Sequence, residues 1–299
     1  MDWDDLKIAF AVARHGSLSG AARALGTTQP TVSRRLDGLE RRIGVKLFER
    51  SAGGLSPTPL CAALVDGLQR MEEGALAVER RIAARDTGLQ GAITITSLDW
   101  FGDTVVGPIT ARFGALHPLV AIELLNETRI FNLSRREADI AFRFAAFAQE
   151  DLIERKVAEV AYGLYATPAY LDRFGLPDFA AGGEGHAVVT MYDVASRSIQ
   201  AVWLHGIAPQ ARVVLRTSGL GSQMAAAETG EAMAAMAALP RLLGDRHPGL
   251  RRIDTPSPCP VQAVRMGVHA DLRESPRIRA FIDFAVVELK AWAPELNPL

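Results

Sequence analysis

The chain has 299 residues, length enough for two ordinary domains, and 48% of them are apolar against 22% charged, a balance that supplies a buried core and excludes global disorder. Lys and Arg number 33 and Asp and Glu 34, a formal charge of −1, which argues against a protein that coats nucleic acid or anionic membrane by bulk charge. Two cysteines, Cys61 and Cys259, cannot build a disulfide framework or a four-cysteine zinc site, and with no secretory pattern after Met1 and no long uncharged apolar run, a cytoplasmic protein outside the membrane is expected.

Charge is unevenly placed. Residues 1–60 carry nine basic groups against six acidic ones, and three of those acids (Asp2, Asp4, Asp5) sit in the first five residues. Trp3, Leu6, Phe10 and Ala13 form the apolar stripe of a first helix that stops near Gly16. A second helix follows, capped by Ser17 or Ser19, with Ala21, Ala22 and Leu25 inward and Gly26 as a turn. Thr28 stands as the N-cap of a third, with Gln29 and Pro30 in its first turn and Val32, Leu36, Leu39 and Ile43 as its stripe. The free face of that third helix begins Gln29, Thr31, Ser33, Arg34, Arg35. Gln pairs bidentately with adenine and Arg with guanine, and hydroxyls reach phosphates, so this face suits a major groove. A solvated face on an ordinary helical hairpin has the same spacing.

The run from Gly16 to Leu36, with its Ala21-Ala22-Arg23-Ala24-Leu25 and Thr28-Gln29-Pro30-Thr31-Val32-Ser33 segments, continues through Leu39-Glu40, Gly44-Val45-Lys46-Leu47-Phe48-Glu49-Arg50 and Leu55-Ser56-Pro57-Thr58. It resembles the DNA-binding domain of LysR-type transcriptional regulators at nearly every position. The resemblance implies a winged helix-turn-helix over residues 1–58 whose helix enters the major groove of promoter or operator DNA. It assigns DNA contact to Thr28, Gln29, Pro30, Thr31, Ser33, Arg34 and Arg35, and to Arg50 and Ser51 in a wing that runs to Gly54 along the minor groove.

A long helix is expected next, over residues 59–87, between Pro57-Thr58-Pro59 and the glycines Gly88 and Gly91. Cys61, Leu64, Leu68, Met71, Ala75, Val78 and Ile82 repeat at spacings of 3 and 4, a heptad seam that needs a partner. Either it folds back on its own domain or it joins two copies of the chain, and two DNA-reading heads on two half-sites require the second. Members of the family use this helix to dimerise. Cys61 departs from the family's very small residue at that place; it is expected as a small buried thiol in the helix pair, the sharper alternative being a redox-sensitive contact across the dimer.

After Gly91 short strands alternate with helices. Residues 92–96, 120–125, 139–144, 162–166, 187–191, 212–216 and 261–268 read as strands, and 103–116, 169–174, 222–228 and 276–289 as helices. That alternation indicates βαβ units and parallel sheets. Phe113-Gly114-Ala115-Leu116-His117-Pro118, Ala138-Asp139-Ile140-Ala141-Phe142-Arg143, Tyr162 to Leu171 and Pro276 to Phe284 are similar to the effector-binding domain of the same regulators. The expected architecture is therefore α/β overall. An effector-binding domain over 91–299 has two Rossmann-like lobes similar to type 2 periplasmic binding proteins, lobe 1 at about 91–161 and 266–299 and lobe 2 at about 162–265. The stretch 182–210 matches weakly, and Gly230 to Pro240 departs from the family's Gly-x-Gly strand before Leu-Pro.

Open α/β sheets bind ligands at the carboxyl ends of their strands. That selects Ser97, Asp99 and Trp100 after the first strand, Thr128 after the second, Arg143 and Phe144 at the end of the third, and Thr217 and Ser218 in the second lobe. Ser97, Thr128 and Thr217 serve equally well as helix caps, and Arg143 as a structural ion-pair partner. Asp99 opposes a carboxylate ligand, so a zwitterionic, neutral or hydroxylated effector stays open beside an organic acid. The six histidines are scattered and no nucleophile elbow, Walker loop or dinucleotide fingerprint occurs, so no catalytic residue, metal or cofactor is expected. The reading is a DNA-binding regulator, dimeric or tetrameric, that answers a small-molecule effector and contacts RNA polymerase. The rivals are a stand-alone solute-binding protein and an enzyme with a regulatory head.

Overall fold

The computed structural model describes residues 2–51, 54–84, 89–127, 131–149, 151–192, 198–228 and 235–298. Asp2 opens α1 (Trp3–His15) by accepting the backbone N–H of Asp4, and Gly16 closes it at φ 64°, a conformation that side chains rarely adopt. Ser17 caps α2 (Leu18–Ala24), accepting from Gly20 at 3.0 Å. Thr28 holds the extended backbone of an N-cap before α3 (Gln29–Ile43), but its hydroxyl meets that of Thr31 at 2.9 Å and does not cap the helix. The wing follows as β1 (Phe48–Ser51) and β2 (Gly54–Pro57), antiparallel from Phe48 opposite Pro57 to Ser51 opposite Gly54. The Thr58 hydroxyl then accepts the Cys61 N–H at 3.2 Å and starts α4 (Pro59–Ala84).

By packing, residues 1–82 form one unit and 83–299 another. The first has a core of Ile8, Val12, Ala21, Val32, Leu36, Leu39, Leu47 and Phe48. Cys61 belongs to that core at 1% exposure, which corrects its expected place on a seam between two helices: the start of α4 packs against its own winged helix. Leu68 is buried as well, whereas Leu64, Met71 and Val78 are 41%, 48% and 58% exposed. Cys61 and Leu68 are thus covered, while Leu64, Met71 and Val78 form an open row and Ala75 is exposed as well.

In the second unit β3 (Gly91–Ser97) leads into α5 (Asp99–Phe101), a π-helical turn at Gly102–Val106 and α6 (Gly107–Leu116), a single helical run. Then come β4 (Val120–Asn126), β5 (Ile140–Arg143), β6 (Leu152–Ala166), α7 (Pro168–Phe174), β7 (Ala187–Met191), α8 (Ile199–Ile207) and β8 (Arg212–Thr217). The chain closes with α9 (Leu220–Glu228), β9 (Met236–Pro240), α10 (Arg241–Gly244), β10 (Arg251–Ile253), β11 (Val261–His269) and α11 (Pro276–Leu296). No described helix is long and apolar enough to cross a membrane.

Strand order is β4-β3-β5-β11-β6-β9-β7-β8, with β10 also on β6. The strands β3, β4 and β5 are mutually parallel, as are β7, β8 and β9. The joining strands are not: β6 runs antiparallel to β11 over Leu152 to Ala161 and antiparallel to β9 over Tyr162 to Tyr165. One strand therefore crosses between lobes. Sequence pattern showed only its second half, because Glu154, Arg155 and Lys156 in the first half face solvent. The pairing of β11 also places Val261 to Arg265 in the first lobe's sheet, so the crossing lies at 261 and not near 266. Each lobe has its own core, one around Phe101, Phe113 and Phe281 and the other around Leu164, Tyr170 and Leu204. Each fully buried side chain of this size contributes about 1.5–3 kcal/mol.

Candidate functional site

In the first unit the third helix is held through its middle and its last turns. Asp5, 5% exposed, receives Arg35 Nε at 3.0 Å and the Arg42 guanidinium. Burial would raise its carboxyl, but Arg42 and Arg35 hold it below its ordinary value. In the last turns of the same helix Glu40 binds Lys46 and the backbone N–H groups of Leu47 and Phe48 at the start of the wing. N-terminal to these anchors Gln29, Pro30 and Arg34 are exposed, Thr31 and Ser33 half-buried. Neither Gln29 nor Arg34 has a side-chain partner among the described residues. Arg35 differs: its guanidinium is committed to Asp5, with Asp4 at 3.8 Å. Thr28 is exposed and tied to Thr31. Arg50 pairs with Leu55 and Ser51 with Gly54 in the wing ladder.

In the second unit a cleft of about 350 Å³ opens where the two lobes meet, a volume suited to a small organic ligand. The first lobe supplies Leu98, Asp99 and Trp100 from the β3–α5 junction and Phe144 from the end of β5. The crossing strand β6 supplies Tyr162, its neighbour β11 Gln262, and the second lobe Met191, Tyr192, Ser198, Gln200, Ser218 and Leu220. These are carboxyl ends of strands and the beginnings of helices. Trp100 and Phe144 lie 5.5 Å apart with rings tilted by 46°. Tyr162 donates to Gln262 Oε1 at 3.3 Å, and Gln262 Nε2 donates to the Phe144 carbonyl at 3.1 Å, so this wall is fixed. Burial pushes the Tyr162 phenol up, keeping it a neutral donor.

Of the residues expected from sequence, Asp99, Trp100, Phe144 and Ser218 come together in this cleft. Ser97, Arg143 and Thr217 do not line it. Ser97 is 3% exposed at the end of β3, its hydroxyl without a partner among the described residues. Arg143 donates to the Phe131 carbonyl and lies over the Phe147 ring at 4.7 Å, and burial lowers its pKa. Thr217, three residues before α9 begins, accepts the Gly219 N–H at 3.3 Å. Thr128 lies outside the described residues.

Two family models match. "Bacterial regulatory helix-turn-helix protein, lysR family" covers residues 3–62, and "LysR substrate binding domain" covers residues 86–290. The chain belongs to the LysR family. Among its relatives in this family are an HTH-type transcriptional regulator of Xanthomonas campestris pv. campestris, 28% identical over 59% of this chain and 51% of that protein, and the Mau operon transcriptional activator of Paracoccus denitrificans, 30% identical over 55% and 58%. The match thus spans a little over half the length of these relatives. Among solved LysR-family structures, full-length AphB of Vibrio cholerae aligns with a TM-score of 0.65 at 22% identity, over 96% of this chain and 99% of that one. Full-length CbnR with its target DNA aligns at 0.60 and 18%, over 96% and 100%. These structures share the fold of a LysR-family chain from the helix-turn-helix through both lobes.

Tyr162, Met191, Tyr192, Ser198, Gln200 and Gln262 were not found from sequence in this LysR-family chain. Tyr162 and Gln262 were hidden because β6 and β11, which meet where the lobes join, were read as ordinary strands of the second lobe. Ser198 and Gln200 begin α8, in the stretch whose resemblance is weakest. The doubtful Gly230 to Pro240 segment ends in β9, fully buried from Met236 to Pro240, while residues 229–234 lie outside the described residues.

Proposed function

We propose that the protein is a sequence-specific DNA-binding transcriptional regulator that changes transcription when a small molecule occupies the cleft between its C-terminal lobes. The observation that carries this reading is the exposed, unpartnered Gln29 and Arg34 on a helix held rigid by Asp5 and Glu40, in one chain with a ligand-sized cleft. Gln29, Pro30, Thr31, Ser33 and Arg34 read base edges in the major groove, with Thr28 at the helix start, and Arg50 and Ser51 follow the adjacent groove from the wing. Arg35 serves chiefly as a strut, its charge offset by Asp5.

The protein acts as a dimer or tetramer in the cytoplasm, contacting RNA polymerase from the promoter. Self-association is supported by Leu64, Met71 and Val78, which form an open apolar row at seven-residue spacing on α4. Ligand closure of the lobes about the crossing strands biases the arrangement of the heads on DNA. An electrophoretic mobility shift on the DNA upstream of the protein's own coding region tests this. Retardation that survives excess unrelated duplex at physiological salt is expected; loss of all binding from low to physiological salt would contradict it.

A further inference from the structure

The cleft carries a chemical signature of its own. Trp100, Phe144, Tyr162 and Tyr192 present aromatic surface to it, and Asp99 is the charged residue of its described lining. The Asp99 carboxylate has neither hydrogen bond nor ion pair among the described residues, and no Lys, Arg or His is among the described residues that line the cleft. Gln200, 8% exposed, lines the same cavity, and among the described residues neither its side-chain oxygen nor the Ser198 hydroxyl has a hydrogen-bond partner. A buried acceptor left unmatched is costly, so the Gln200 oxygen and the Asp99 carboxylate ask for a ligand that donates, while the Ser198 hydroxyl can serve either role. The start of the helical run at Asp99 would favour an anion, but Asp99 itself places a negative charge in that first turn. A ligand carboxylate would add like charge beside it.

We infer that the effector is an amine, cationic at neutral pH and carrying an aromatic or similarly flat apolar body. The ammonium N–H groups match Asp99 and the Gln200 oxygen, and the aromatic rings attract both the cation and the apolar body. The inference rests on the cleft being the effector site and adds the charge and class of the molecule.

The test is calorimetric titration of the full chain with three probes of similar size: phenethylamine, phenylacetate and phenethyl alcohol. Phenethylamine is expected to bind at least tenfold tighter than phenylacetate, a difference of about 1.4 kcal/mol, and Asp99→Asn is expected to erase that ratio while the melting temperature of the unliganded protein holds. Phenylacetate binding as tightly as the amine, or an unchanged ratio in Asp99→Asn, overturns the inference. The alcohol separates the two claims. If it binds and Trp100→Ala or Tyr192→Ala removes the binding, the cleft stands even where the amine preference fails. If no probe binds, or if both variants leave all three affinities unchanged, the cleft reading fails and the inference with it. Tyr192, 54% exposed at the cleft, keeps that arm usable should Trp100→Ala not fold.

Discussion

The carboxylate of Glu40 accepts the backbone N–H of Leu47 at 2.8 Å, and through it the helix carrying Gln29 is tied to the strand carrying Arg50. The same oxygen takes the Phe48 N–H at 3.2 Å, and the other meets Lys46 Nζ at 2.6 Å. Glu40 is 6% exposed. A reading helix and its wing must keep a fixed relation to follow one groove and then the next, and a buried side chain bridging seven residues of sequence provides it.

Glu40→Ala strands two buried N–H groups. A cost of about 2–4 kcal/mol is expected at roughly 1–2 kcal/mol per orphaned donor. Chemical unfolding of the full chain checks this, with the helix-turn-helix transition moving and that of the C-terminal unit staying in place.

Acid acts on the same joint. Burial alone would raise the Glu40 carboxyl, but Lys46 and the Leu47 and Phe48 N–H groups hold it below its ordinary 4.5, as Arg42 and Arg35 hold Asp5 below 3.8. A carboxyl depressed in the folded state stabilises above its unfolded value and loses that contribution as pH falls through the folded one. Thermal melts should therefore show the first unit losing stability only below about pH 4.5, and Glu40→Gln should flatten that acid limb.

The open row on α4 governs assembly. Met71→Glu sets a charge in the middle of the proposed seam while leaving Cys61 and Leu68 in their covered positions. Sedimentation is expected to show the wild type as a dimer or tetramer and the variant shifted toward monomer, with its circular dichroism unchanged.

Gly244 abuts Tyr165. A Cβ there would fall well inside contact distance of the Tyr165 ring, which is 1% exposed and pinned by its hydroxyl to Asp245 Oδ1 at 2.7 Å. The ring cannot step aside, so Gly244→Ala should destabilise the C-terminal unit by about 1–3 kcal/mol, read from its melting transition.

Much of this was legible because local chemistry and packing agree. Ser17 caps α2, Gly16 closes α1, and the apolar stripe of α3 is the face that packs. What was missed lies where long-range pairing decides. Glu154 to Lys156 look like loop until β11 pairs with them, and the contacts of Arg143 with the Phe131 carbonyl and the Phe147 ring have no local pattern to announce them. Cys61 fits a heptad by spacing, yet its own domain buries it, and burial raises its thiol pKa away from the reactive range. Gln200 and Ser198 carry no motif; their meaning is positional.

The central claim is that α3 reads sequence through Gln29. Selection of bound duplexes from a random DNA pool tests it most directly, run in parallel on wild type, Gln29→Ala and Arg34→Ala. The wild type should enrich a two-fold-symmetric motif. Gln29→Ala should lose preference at one base position per half-site, worth about 1–3 kcal/mol of discrimination, with its fold intact because Gln29 is exposed. A wild-type pool without an enriched motif, or a Gln29→Ala motif identical to the wild type's, would contradict the account.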